Sequence, residues 1–343
     1  MKTVLPELLR ERVPVFAAPM AGGPSTPELV IASAVAGHFA QLAGGYRTTR
    51  EMSEQIDAVR AEAALFGINL FVPTVGALDP AEYRRYRDRL RPVAERLGIA
   101  ALPPQREDDD SWAEKVDLLM QDPVPVVSFT FGIPSAGIVK ALRTRGTITM
   151  QTVTCVEEAL AARDAGIDVI VAQSRDAGGH VGTTDPLSAL PTHSLSELVR
   201  EIRSVSTLPI IGTGGISTSS AVHTTMAAGA QAVAVGTALL LAPESGASAV
   251  YKTALRDSKY TRTQVTRAFT GRFARALVNQ FVEDHSAAAP AGYPALHHLT
   301  KPIRAAGAAA GDASVVHLWA GTGWQQTRER PVTATLAQLS DGL

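Results

Sequence analysis

The chain of 343 residues has a single cysteine, Cys155, so it can form no internal disulfide and no multi-cysteine zinc or iron–sulfur site. That argues against a disulfide-stapled secreted scaffold and leads us to expect a reduced, cytoplasmic setting. Net charge is also lacking, with 32 Lys+Arg against 33 Asp+Glu. Such a balance argues against a broad nucleic-acid-binding face or a polybasic membrane anchor. Long apolar runs are missing as well. The longest, residues 231–243, falls short of the ~20 residues a membrane helix needs, and the first twelve residues do not read as a signal peptide. What is present is 45% hydrophobic and 19% charged, the profile of a folded globular protein.

Over residues 1–240, short apolar runs rich in β-branched residues alternate with polar segments of helical period. Runs buried on both faces are how parallel strands read. Eight are expected, at 13–18, 39–43, 66–71, 124–129, 147–151, 169–172, 209–212 and 232–235. Helices are expected between them at 26–36, 48–64, 80–97, 154–165 and 217–228. Thr26 is a cap candidate with Pro27 in the first turn, and Thr154 with Glu157 spells a capping box. Eight strand–helix units predict an α/β TIM barrel, (β/α)8, which takes about 250 residues and leaves about 90 over. An open doubly wound sheet is the alternative. Its nucleotide fingerprint is missing, because 212–217 (Gly-Thr-Gly-Gly-Ile-Ser) fails G-x-G-x-x-G at the last position. The remainder, 241–343, is expected to be a C-terminal helical cap, or substrate domain, with helices at 244–257, 263–283 and 332–339.

In such a barrel the chemistry sits at the C-terminal ends of the strands. The glycine turns after strands 7 and 8, Gly214-Gly215 and Gly236-Thr237, either make tight connections only or bring backbone N–H groups to a phosphate. Both turns at the right strands favour phosphate. Asn69 and Gln173 are amides at strand ends. They either cap the strands or hydrogen-bond a heteroaromatic ring. His180, after Gly178-Gly179, could be a general base, a donor to an anion, or a surface-loop histidine. His38 and His223 read as structural. His297-His298 has no companion carboxylates at metal-ligand spacing, so no metal site is expected. Cys155, in the first turn of a helix, has no histidine near it in sequence.

These segments together resemble the nitronate monooxygenase (2-nitropropane dioxygenase-like) family. The resemblance runs through residues 17–23 (Ala-Ala-Pro-Met-Ala-Gly-Gly), 67–71 (Gly-Ile-Asn-Leu-Phe), 172–173 with 176–182 (Asp-Ala-Gly-Gly-His-Val-Gly), 212–216, 235–237 and 241–245. Thr270-Gly271-Arg272, with Arg275 and Asn279, resembles the family's tail. The resemblance implies FMN across the barrel mouth. Its phosphate would meet Gly214, Gly215, Gly236 and Thr237. Its ring would lie near Pro19, Met20, Asn69 and Gln173, with Gly178 and Gly179 allowing close backbone approach. The implied reaction is oxidation of an alkyl nitronate, such as propionate 3-nitronate, with O2 to a carbonyl compound and nitrite. His180 would contact the substrate. Some members carry a histidine base where this chain has Gln151, which implies a preference for preformed nitronates over neutral nitroalkanes. Ser174 stands where the family usually has glycine. Gln151, Tyr293 and His298 are the substrate-side candidates, and Trp319 and Trp324 are further cap candidates. A homodimer is a possible assembly.

FMN-dependent enoyl-acyl carrier protein reductases share most of these motifs and are the alternative function. An IMP-dehydrogenase-like barrel would need a cysteine after strand 6, which this chain lacks.

Overall fold

The computed structural model describes residues 4–74 and 78–343. Along the chain the strands are β1 Val13–Ala17, β2 His38–Ala43, β3 Gly67–Phe71, β4 Val126–Thr130, β5 Ile148–Val153, β6 Val169–Gln173, β7 Gly179–His180, β8 Ile210–Thr213, β9 Ala232–Val235, β10 Thr263–Thr266 and β11 Ala274–Leu277. The helices are α1 Glu7–Arg10, α2 Pro27–Val35, α3 Thr49–Arg60, α4 Pro80–Arg96, α5 Trp112–Gln121, α6 Ala136–Thr144, α7 Val156–Asp164, α8 Leu195–Val205, α9 Ser219–Ala227, α10 Ala249–Arg256, α11 Gln280–His285, α12 Ala295–Ala309 and α13 Val332–Leu339. Strands β1 to β6, β8 and β9 form a closed parallel barrel, and β9 pairs with β1 through Val15 and Val233. This is the expected TIM barrel.

Local chemistry sets the helix starts. Thr26 accepts the Leu29 N–H at 3.1 Å, and Pro27 opens α2. Thr48 with Glu51, and Ser194 with Glu197, close capping boxes on α3 and α8. The box expected at Thr154 differs. Cys155 occupies the cap position of α7 without a side-chain bond, and it is Glu158, not Glu157, that accepts from Thr154.

Alternation along each strand sends one set of side chains into the lumen. Its lower part is apolar, with Phe16, Phe39, Val126, Met150, Val169 and Ile211, and Leu5 and Leu9 at the N-terminus join that cluster. Burying each such side chain contributes about 1.5–3 kcal/mol. Towards the C-terminal ends the lumen turns polar through Gln41, Asn69, Ser128, Thr130, Thr152 and Thr213.

Residues 263–283 are not one helix. They hold antiparallel β10 and β11, followed by α11, and β11 pairs further with β7 (Ala274 with His180). The segment after 240 is therefore partly a small sheet, and that sheet takes the His180 loop as its edge. Tyr83, Tyr86 and Leu90 of α4 pack with Phe269, Phe281, Leu296, Leu299 and Ile303, fixing α12 over the barrel. Val332, Leu336 and Leu339 of α13 return to the barrel core. No helix among the described residues is long and apolar enough to cross a membrane.

Candidate active site

The C-terminal ends of the barrel strands and the face of α12 enclose a cavity of about 540 Å³. Pro19, Met20, Asn69, Gln173, Gly178, Gly179, His180, Gly214, Gly215, Gly236 and Thr237 all line it. Residues from six separate stretches of sequence thus meet around one space.

One side is a backbone cradle. Gly214 has φ +111°, and a Cβ there would lie 2.5 Å from Ser174 Oγ and 3.0 Å from Ala177 N. Only glycine fits this turn. The N–H groups of Gly215, Gly236 and Thr237 find no protein acceptor among the described residues. Unpaired N–H groups, with the N-terminus of α9 just beyond, form an anion site. Thr237 Oγ1 accepts the Gly321 N–H at 3.0 Å, so the 319–323 segment closes over the turn. This donor set fits a phosphate group.

His180 also lines the cavity, edge-on to Phe131 and Tyr293 and tilted against Trp319, with ring centroids 5.4–6.0 Å away. Its Nε2 lies 2.9 Å from Thr270 Oγ1. Burial, with Arg272 and Arg304 adding to it, lowers its pKa to about 3, so the ring is neutral at ordinary pH. The amide of Gln173 is committed to the same loop, since Nε2 donates to His180 O at 3.1 Å and Oε1 accepts from Gly182 N at 2.7 Å. Asn69 Nδ2 donates to Ser128 Oγ at 2.8 Å and Thr130 Oγ1 at 3.0 Å. Both amides face the cavity, but these hydrogen bonds brace the wall.

None of the three substrate-side candidates lines the cavity. Gln151 is fully buried and does not line the cavity. Its Nε2 donates to Gly132 O and Thr152 O, both at 3.0 Å. Strand β5 continues to Val153, so Thr152 takes the lumen-facing position and Gln151 points away from it. His298 points to the loop before α5, with Nε2 2.8 Å from Asp108 Oδ2. Its neighbour His297 lines the cavity in its stead. Tyr293 lies behind His180 and Phe131 rather than in the wall, Trp319 is in the wall, and Trp324 is core. Burial raises the Cys155 thiol pKa to about 11, which disfavours the thiolate form a nucleophile needs. Among the described residues no group of three or more His, Cys, Asp or Glu is arranged to hold a metal.

The charge pattern of the wall was not legible beforehand. No Asp or Glu lines the cavity among the described residues, whereas Lys301 and Arg304 do. Arg304 is buried and donates to His297 O at 2.9 Å and Thr300 Oγ1 at 3.1 Å, with no carboxylate partner among the described residues. Burial lowers its pKa to about 10, so it stays a cation at neutral pH. Burial, together with this cation, holds His297 and His317 well below the usual histidine pKa. Tyr46, at φ +66°, stacks on His297 at 4.1 Å and 5°. Arg272, also without a carboxylate contact among the described residues, lies 4.0 Å over the Phe131 ring. The signal for this face was the spacing His297, Lys301, Arg304, Ala308, which is one stripe of a helix.

Comparison with known proteins agrees with this geometry. Residues 2–342 match the nitronate monooxygenase family model. A probable nitronate monooxygenase from Staphylococcus aureus (strain MSSA476) is 33% identical over 98% of this chain and 96% of its own. The solved nitroalkane oxidase of Streptomyces ansochromogenes is similar at 40% identity with a TM-score of 0.91, covering 95% of this chain and 94% of that one. FabK from Thermotoga maritima shares the fold, with a TM-score of 0.74 at 22% identity over 97% of this chain and 93% of that one. The chain belongs to the nitronate monooxygenase family, a family of flavin-dependent oxidoreductases.

Proposed function

We propose that the protein binds FMN across the barrel mouth and oxidises alkyl nitronates, such as propionate 3-nitronate, with O2 to a carbonyl compound and nitrite. The observation that carries this reading is a cavity with no carboxylate among its described wall residues, one buried guanidinium with no described carboxylate partner and a phosphate-fitting cradle. An anionic cofactor and an anionic substrate both suit such a space.

The N–H groups of Gly215, Gly236 and Thr237 would hold the phosphate, and Pro19, Met20, Gly178 and Gly179 would flank the ring. Bound FMN supplies the electron-accepting chemistry. The chain's own part is to bind, orient and keep dry. Thr270 Oγ1 lies closer to His180 Nε2 (2.9 Å) than to the Arg272 carbonyl (3.3 Å) and accepts the Arg272 N–H at 3.4 Å. We read the hydroxyl as the donor to Nε2, the assignment in which Nδ1–H is the ring's free donor for a nitronate oxygen. A neutral histidine in this tautomer donates well and abstracts protons poorly, which favours preformed nitronates over neutral nitroalkanes.

The test is anaerobic addition of propionate 3-nitronate to the purified yellow protein. Bleaching of the flavin, with nitrite formed once O2 is readmitted, is the expected result. A flavin left oxidised by nitronate but bleached by NAD(P)H would replace this reading with a reductase. A preparation unable to take up FMN would end both.

A further inference from the structure

Outside the barrel wall, a carboxylate that the chemistry above does not use holds the segment carrying His180. Glu158, in the first turn of α7, is buried. Its Oε2 accepts from Thr154 N at 2.6 Å and Thr154 Oγ1 at 2.9 Å. Its Oε1 accepts from Thr183 Oγ1 at 2.7 Å, Thr184 N at 2.6 Å and Thr184 Oγ1 at 3.2 Å. One carboxylate thus ties the β5–α7 turn to the residues that follow His180.

Two other side chains hold the same stretch. Gln173 grips it from within the barrel at His180 O and Gly182 N. Arg272 reaches it from the cap, at Val181 O (3.4 Å) and Thr183 O. Gly182 packs close to the barrel wall, where a Cβ would meet Thr152 Cγ2 at 2.8 Å. Of the three grips Glu158 alone is anionic, and it lies outside the cavity.

We propose that Glu158 is a positioning residue for His180, setting the ring against the substrate through residues 183 and 184. This rests on the reading of His180 as the nitronate contact. The chemistry of the grip requires a carboxylate. Its two oxygens each accept a backbone N–H, from Thr154 and from Thr184, and a carboxamide would turn its NH2 towards one of these donors. The 183–184 backbone would then move, and His180 with it. Misplacement of about 1 Å at a reacting centre can cost up to about 100-fold in rate.

The test is Glu158→Gln in the FMN-loaded enzyme. We expect kcat/KM for propionate 3-nitronate to fall roughly 10- to 100-fold, with flavin content unchanged. In a His180→Asn background the same substitution should cost almost nothing further. An equal loss in both backgrounds, or no loss in either, overturns the proposal. Thr184→Val, which removes one donor and keeps the carboxylate, provides a milder variant should Glu158→Gln fold poorly, and it should show the same coupling. The 15N signals of the His180 ring give a readout independent of substrate. They should shift in Glu158→Gln while those of His38, at the start of β2, stay in place. Unmoved His180 signals also overturn the proposal, whereas shifted signals in a protein that does not oxidise nitronates would leave it standing and sink the functional reading.

Discussion

His180 Nε2 and Thr270 Oγ1 lie 2.9 Å apart, and the pair spans the junction between the barrel and its cap sheet. β7 carries the histidine, and the threonine sits in the turn between β10 and β11. The cap therefore does more than cover the cavity, since it places a hydroxyl within hydrogen-bond distance of the His180 ring.

Thr270→Val keeps the shape and removes that hydroxyl. The ring is then free to place its hydrogen on either nitrogen, at the loss of one hydrogen bond worth about 1 kcal/mol. We expect kcat/KM for a preformed nitronate to drop roughly 3- to 10-fold. Activity towards the neutral nitroalkane should fall less, because the lone pair freed from Thr270 gives the ring a weak basicity that the bonded ring lacks. Steady-state kinetics on both substrate forms measures the ratio, and an unchanged ratio would show that Thr270 does not select the tautomer.

The barrel was legible in the sequence because strands buried on both faces leave unbroken apolar runs, and because glycines at two successive strand ends are hard to explain otherwise. The misplaced residues share one physical origin. Gln151 and His298 are each one residue from a cavity-lining position, held by Thr152 and His297. A step of one residue reverses a strand's face and turns a helix by about 100°. Residues 263–283 misread as helix because Ala-Arg-Ala-Leu has strong helix propensity. It is strand here because β7 and β10 lie on either side of it. The unpaired state of Arg304 could not be read at all, since it depends on which acids fail to arrive from elsewhere in the chain.

Acid should loosen the fold through its buried histidines. His180 has a pKa of about 3 when folded, and about 6.5 is usual for an unfolded histidine. His297 and His317 are also lowered. Between the folded and unfolded values the unfolded chain holds more protons, so stability rises with pH below about 6.5 and levels above it. Each histidine contributes up to about 1.4 kcal/mol per pH unit in that window. Urea midpoints should therefore fall steadily from about pH 7 to 5, above the range where the carboxylates titrate. His180→Asn should reduce the slope. A midpoint flat across this range, or a slope undiminished in the variant, would contradict the burial argument.

The phosphate cradle can be tested by a single methyl group. Gly214→Ala must place a side chain at φ +111°, with its Cβ 2.5 Å from Ser174 Oγ and 3.0 Å from Ala177 N. Strain of this kind costs about 1–3 kcal/mol. It falls on the loop that leads to Gly178 and Gly179, so FMN should bind roughly 10- to 100-fold more weakly by fluorescence titration. Gly98→Ala is the matched control. Its φ is +70°, no atom lies within 4 Å of the added Cβ, and the position follows α4, outside the cavity wall. Both variants strain a left-handed turn, so a general loss of stability would lower flavin affinity in each. Only a cradle at Gly214 predicts weak binding in one and parental binding in the other, and equal affinities in the two variants would remove the phosphate from this turn.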